Sequence, residues 1–165
     1  MSSNFSKIFT ININENGLFL DKRIMKIYTK VDERKMGLES ASFVGTVLVG
    51  DNDQIYFKNG FKLTVQDKVS AHLYGLKRCI SFIKNVKPLH CNNMIHFLHD
   101  NVRVDIDREL NDRIASDEYV QRFIEEKGIK IEAKNKDFTS FDKEMLMIAG
   151  LEISPRSFTK GYERD

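Results

Sequence analysis

Cysteine, proline, glycine and tryptophan are all scarce in this chain of 165 residues, which holds 2 Cys, 2 Pro, 9 Gly and no Trp. Two cysteines, Cys79 and Cys91, allow one disulfide at most, which excludes a disulfide-built scaffold; in a reducing compartment both are expected to be free thiols. So little Pro and Gly argues against disordered, low-complexity stretches. No apolar run approaches the ~20 residues needed to span a bilayer. The start, MSSNFSKIFTININ, has no apolar core of signal-peptide type, so the cytoplasm is the expected compartment. An excess of one charge is missing too. The 26 basic and 24 acidic residues leave a net charge of +2, which excludes a strongly basic nucleic-acid scavenger but not a local basic patch. What is present is a globular composition, 41% hydrophobic and 30% charged. The length suits one domain of ordinary size, long enough to bury roughly two-thirds of its unfolded surface.

The N-terminal pattern is one of strands. Lys7 to Asn14 alternates apolar and polar positions, Asn16-Gly17 is a strong two-residue hairpin turn, and Leu18 to Leu20 reads as the return strand. Ile24 to Val31 reads as a longer, more buried strand, Phe43 to Val49 as a second, and Gln54 to Phe61 as a third that Leu63 to Val65 extends. Short turns between them predict an antiparallel meander. The period then changes: Val69, Leu73, Leu76, Ile80 and Ile83 recur at helical spacing, which predicts a helix from about Gln66 to Asn85. Met94 to Leu98 reads as a buried strand. Val104 to Lys127 is helical in two pieces, with Ser116 as N-cap of the second and Gly128 as its C-terminal cap. Ile129 to Ala133 alternates as a strand. Thr139 and Asp142 have capping-box spacing for a last helix, Ser140 to Ala149. The expected organisation is therefore a hairpin extension (1–22), a domain of βββ-α-β-α-β-α order (23–153) and a tail (154–165), with a mixed α/β sheet and helices on its faces.

This order resembles type 1 ribonuclease H over roughly Met25 to Leu151, and several local segments are similar as well. Lys26-Ile27-Tyr28-Thr29 is similar to the family's first strand, where an apolar pair and Thr precede an Asp. Ala71-His72-Leu73-Tyr74-Gly75-Leu76 is similar to its first helix, where Glu-Leu is expected. His99-Asp100-Asn101 is similar to the end of its fourth strand, and Glu144-Met145-Leu146-Met147 to its last helix. The resemblance implies a ribonuclease H-like fold. It also implies a phosphodiester-cleaving site in which two hard divalent cations, Mg²⁺ or Mn²⁺, are held by carboxylates converging from different elements.

The residues depart from that pattern. Lys30 stands at the first-strand Asp position and His72 at the first-helix Glu position. Asp100 matches without adjustment, and the last-helix carboxylate is Glu144 or, with a small shift, Asp142. The expected reading is a retired site at Lys30, His72, Asp100 and Glu144, with no catalytic residue, no metal and no cofactor, in which Lys30 pairs with Asp100 across the sheet or contacts a phosphate as a point charge. The rival is a nuclease with rearranged ligands, Asp32, Asp100 and Asp142 or Glu144, in which Asp32 shares a strand face with Lys30 and Asp100 and Glu144 are the first metal ligands to consider.

Plainer readings stand beside these. His72 reads as a satisfied half-buried histidine, and Asp142 and Glu144 lie where acids favour a helix N-terminus. His90, Cys91, His96 and His99 lack the spacing of a zinc site, and His96 and His99 alternate to opposite faces of a strand. Lys22, Arg23, Lys26, Arg34 and Lys35 are the candidate contacts for a nucleic acid or another partner, although most such basic residues form a solvated face. Val102 to Lys127 carries eight acids against five bases, which repels a phosphate backbone. The expectation is a non-catalytic ribonuclease H-like protein that binds a protein or nucleic acid, with dimerisation through the hairpin edge as a third reading. The abundance of Asn, Ile and Lys suits a phage or other mobile element acting on a host component, in the host cytoplasm.

Overall fold

Strand alternation sorts the first strand into two faces. In the computed structural model, which describes residues 24–36, 39–64, 67–85, 94–101 and 106–153, β1 (Met25–Met36) points Met25 and Ile27 into the larger core cluster and Tyr28 into a second cluster on the opposite side. β2 (Glu39–Val49) and β3 (Ile55–Leu63) complete an antiparallel meander with registers Tyr28↔Val47 and Gly45↔Gly60. After α1 (Lys68–Asn85), β4 (Met94–His99) lies parallel to β1 with Thr29 opposite His99. After α2 (Ile106–Ser116) and α3 (Glu118–Lys127), β5 (Lys130–Lys134) lies parallel to β4. Parallel neighbours need a crossover, and helices supply it both times. The sheet order is β3-β2-β1-β4-β5, and α4 (Ser140–Leu151) closes the chain's described part.

The helical spacing on α1 is the burial pattern of the helix: Val69, Leu73, Leu76, Ile80 and Ile83 are all buried and join Phe97, Leu110 and Phe123 in the main core. The other sheet face belongs to α4, through Met145, Leu146 and Ala149 packed on Tyr28, Val47 and Leu98. Its C-terminal end comes very close to the meander. A Cβ at Gly45 would lie 1.8 Å from the Ala149 carbonyl oxygen, and one at Gly60 1.9 Å from that of Glu152. These cross-strand partners give the helix end a flat place to rest that no other residue type provides.

Several boundaries differ from the sequence reading. β1 continues to Met36 and β2 begins at Glu39, because ladder pairing carries the polar stretch Asp32–Lys35 beyond the apolar alternation. α1 begins at Lys68. Ser116 does not cap α3; it ends α2, and Asp117 is the N-cap, accepting a hydrogen bond from the Val120 amide at 3.0 Å and an ion pair from Lys77 at 2.6 Å. A carboxylate one residue on supplies both bonds where a serine supplies one. Gly128 closes α3 with φ 65°, and Thr139 and Asp142 form a full capping box on α4. The hairpin expected over Lys7 to Leu20 and the tail from Ser154 lie outside the described residues, as do Lys22, Arg23, His90 and Cys91.

Candidate functional site

The register that pairs Thr29 with His99 sets the next residues, Lys30 and Asp100, side by side on the α4 face. The Lys30 ammonium lies 2.6 Å from Asp100 Oδ2, with both side chains about a third exposed (39% and 33%). The lysine stem runs against α4 at Gly150, where an added Cβ would come within 3.0 Å of Lys30 Cδ. The same strand face carries two more cations, each with its own acid. Lys26 lies 4.0 Å from Asp142 and over the Phe141 ring, while Arg34 bonds Asp32 at 2.9 Å, donates to the Ile153 carbonyl and covers the Phe43 ring.

His72 lies across the sheet from this pair. Thr29 and Lys30 alternate, so His72 meets Thr29 on the α1 side, with Nδ1 2.7 Å from the Thr29 hydroxyl. The His72 ring is 5.1 Å from that of His99, whose Nε2 is 2.6 Å from Asp107. The Asn101 amide donates to His99 Nδ1, which leaves Nε2 as the nitrogen that carries the proton and donates to Asp107. Gly75 makes room for this arrangement: a Cβ there would lie 2.7 Å from the Thr29 methyl. Both imidazoles are buried rather than half-buried, at 1% and 0% exposure. Burial first, then the neighbouring His99 and Lys68, holds His72 well below the ordinary histidine range. Burial also lowers His99, against the pull of Asp107.

Asp142 and Glu144 do not reach Lys30. The α4 residue beside Lys30 is Gly150, and at 1.5 Å rise per residue Glu144 is about 9 Å and Asp142 about 12 Å back along the axis. Asp142 is buried and committed: it accepts the Tyr28 hydroxyl at 2.6 Å and the Thr139 amide at 3.0 Å. Burial pushes its carboxyl up, but these bonds and Lys26 hold it below the usual carboxylate range. The same contact and burial raise the Tyr28 phenol, burial being the larger cause. Glu144 is exposed, and Asp32 faces Arg34. Among the described residues no group of three or more His, Cys, Asp or Glu side chains is placed to hold a metal ion. The structure thus brings together Lys30 and Asp100, and separates them from His72, Asp142 and Glu144.

The remaining candidates are spread over the fold. His96 and His99 point to opposite faces of β4. Cys79 is wholly buried beside the Thr46 hydroxyl, and burial pushes its thiol up to about 12, which makes it inert as a nucleophile. Outside the candidate set, the basic residue Arg78 bonds Asn59 and covers the Phe61 ring at 4.1 Å. Sequence reasoning missed the chain from Thr29 through His72 and His99 to Asp107, and the Tyr28–Asp142 bond. The only signal for the first was that Thr29 and His99 each precede a residue of the Lys30–Asp100 pair.

The element order, the sheet order β3-β2-β1-β4-β5 and helices on both faces make this a ribonuclease H-like α/β fold. No protein-family model matches the sequence, and no curated protein does. Among solved structures the chain is similar to the native prototype foamy virus protease–reverse transcriptase, with TM-score 0.57 and 11% identity, over 92% of this chain and 23% of that one. It is also similar to the foamy viral protease–reverse transcriptase in complex with dsDNA, with TM-score 0.50 and 11% identity, over 83% and 98% of the two chains. LC11-RNase H1 in complex with an RNA/DNA hybrid aligns with TM-score 0.48 and 11% identity, over 73% and 92%. At these identities the likeness is one of fold.

Proposed function

We propose that this protein is a non-catalytic ribonuclease H-like protein that binds a macromolecular partner, protein or nucleic acid. The observation that carries this reading is the Lys30 ammonium 2.6 Å from Asp100, on the strand where the fold's nucleases need a carboxylate. A hard divalent cation needs several converging oxygen ligands. Here one carboxylate is already neutralised by a fixed cation, its α4 neighbour is a glycine, and His72 is buried on the other face. These residues do not fit a two-metal site, and no cleavage step is derived from them.

The surface beside the pair supports a binding role. Met147 and Leu151 lie one turn apart on α4, at 62% and 63% exposure, on either side of the Gly150 that touches Lys30. Exposed apolar side chains on the helix that touches Lys30 are in keeping with a protein contact. A nucleic-acid partner is in keeping with the foamy viral neighbour solved in complex with dsDNA. An Asn-, Ile- and Lys-rich chain of this size is in keeping with a phage or mobile-element factor acting on a host component.

The test is metal titration of the purified chain combined with an assay on an RNA–DNA hybrid. Millimolar Mg²⁺ or Mn²⁺ is expected to leave the melting temperature unchanged, since nothing binds the folded state preferentially, and the hybrid is expected to stay intact. Metal-dependent cleavage abolished by Asp100→Asn would overturn the reading in favour of a nuclease with rearranged carboxylates, with Asp32 the first ligand to substitute.

A further inference from the structure

α4 packs on β1, β2 and β3 and covers β4 at Leu98, so on its side of the sheet the open part is β5 and the His96 end of β4. Beside its first turn this open part holds a cleft of about 360 Å³, at the small end of the range for ligand sites. Apart from Asp53, its polar lining divides into two sets. Lys26, Asp142 and Thr139 are occupied with one another and with the cap of α4. His96, Lys134 and Asp137 also line it, and their side chains make no hydrogen bond or ion pair among the described residues. Half-buried Ile24 supplies apolar surface, and Leu98 lies beneath, 1% exposed under α4. The cleft lies at the Lys26 end of β1, four residues and about 13 Å from Lys30 along the strand, so it is separate from the Lys30–Asp100 pair.

Charge narrows the ligand. Two lysines line the cleft against three carboxylates, those of Asp53, Asp137 and Asp142. A phosphate-type anion would meet more negative charge than positive, and a metal cation would meet two ammonium groups. A neutral ligand with donors and acceptors side by side meets neither objection. A free carboxylate accepts a pair of adjacent N–H donors, and a free ammonium donates to neighbouring acceptors. The imidazole of His96 is neutral, held below its ordinary range by burial and then by Lys134, with Lys26 adding to that and Glu132 and Asp142 opposing it; it supplies one donor or one acceptor.

We propose that this cleft binds an unpaired guanine base. Asp137 accepts from its N1–H and 2-amino group, Lys134 donates to its O6 and N7, and Ile24 packs on the ring. Guanine alone among the bases carries adjacent N–H donors beside the O6/N7 acceptor pair that lysine reads. The base is common to a free nucleoside and a single strand. The inference goes beyond the proposed function, and it stands whichever class of partner meets Lys30.

The experiment is calorimetric titration of the full chain with guanosine, inosine and adenosine, which carry no phosphate to confuse the readout. Guanosine is expected to bind saturably. Inosine, without the 2-amino group, should bind several-fold more weakly, and adenosine at least tenfold more weakly. Asp137→Asn is the decisive variant, because Asp137 has φ 61° and asparagine tolerates that backbone. It should keep the melting temperature and lose guanosine binding at least tenfold, and Lys134→Gln should weaken it as well. Displacement of guanosine by a G-containing single strand, against an A-containing control, supports a strand as the source; failure to displace it supports the free nucleoside. No saturable binding of guanosine, equal binding of adenosine, or binding unmoved by both variants would overturn the proposal. None of these results bears on metal-dependent cleavage, so the two readings fail separately.

Discussion

Lys30 and Asp100 form a close ion pair that is open to water, and the two facts have different consequences. The 2.6 Å contact neutralises the Asp100 carboxylate, but partly exposed pairs add only ~0–1 kcal/mol to stability. Lys30→Met is therefore expected to change unfolding free energy by less than about 1 kcal/mol in urea titrations; a loss of several would make the pair a structural element instead. The histidines on the other face behave differently. His72 and His99 are buried and neutral when folded, whereas in the unfolded chain they take up protons near the ordinary value of about 6.5. The unfolded state then binds more protons below that value. Stability is fully present above about pH 6.5 and falls as the pH drops through it, by up to ~1.4 kcal/mol per pH unit for each histidine. Urea midpoints measured between pH 8 and pH 5 should show this fall. A midpoint that rises on acidification would mean that the imidazoles are charged in the fold.

At the scale of elements, α4 joins the site to the sheet. Its N-terminus is set by the Thr139 capping box and its C-terminal end by the glycine pair beneath it. Thr139→Ala is expected to cost about 1 kcal/mol. Gly45→Ala should cost more, because a methyl 1.8 Å from a backbone carbonyl forces the helix end away from the strand. Comparing the two by thermal unfolding checks that ranking. The helix pattern of α1 and the capping box of α4 were legible in the sequence, since side-chain period and cap spacing are local properties. The cap of α3 was not, because Ser116 and Asp117 are both good capping residues and only the chain path out of α2 decides between them. The ends of β1 and β2 were not legible either, since backbone pairing extends β1 from Asp32 to Met36 and β2 back to Glu39, where no apolar alternation marks a strand.

At the scale of the whole molecule, charge is balanced locally as well as in total. The net charge is +2, and the three cations on the α4 face of β1 each face a carboxylate. Any phosphate that binds there must displace an acid from its cation. Binding to nucleic acid through this face is expected to be weak and to fall steeply with salt, as counterion release requires. Mobility-shift titrations at 50 and 300 mM salt measure it; tight binding that persists at the higher salt would mean that bases, not phosphates, carry the recognition. No described helix is long and apolar enough to cross a membrane.

What the sequence determined by itself was the order of strands and helices over the described residues, the apolar stripe that α1 buries, and the presence of a lysine where a ribonuclease H-like chain is expected to carry an acid. These follow from period, from turn and cap chemistry, and from residue identity, all local along the chain. Tertiary structure alone decided which of the singled-out residues meet. Parallel pairing of β1 with β4 placed Lys30 against Asp100. Strand alternation then put His72 on the far side of the sheet, and the rise of α4 carried Gly150, not Glu144, to Lys30. A contact between residues 70 positions apart in the chain depends on strand register and helix approach, which packing of the whole core sets.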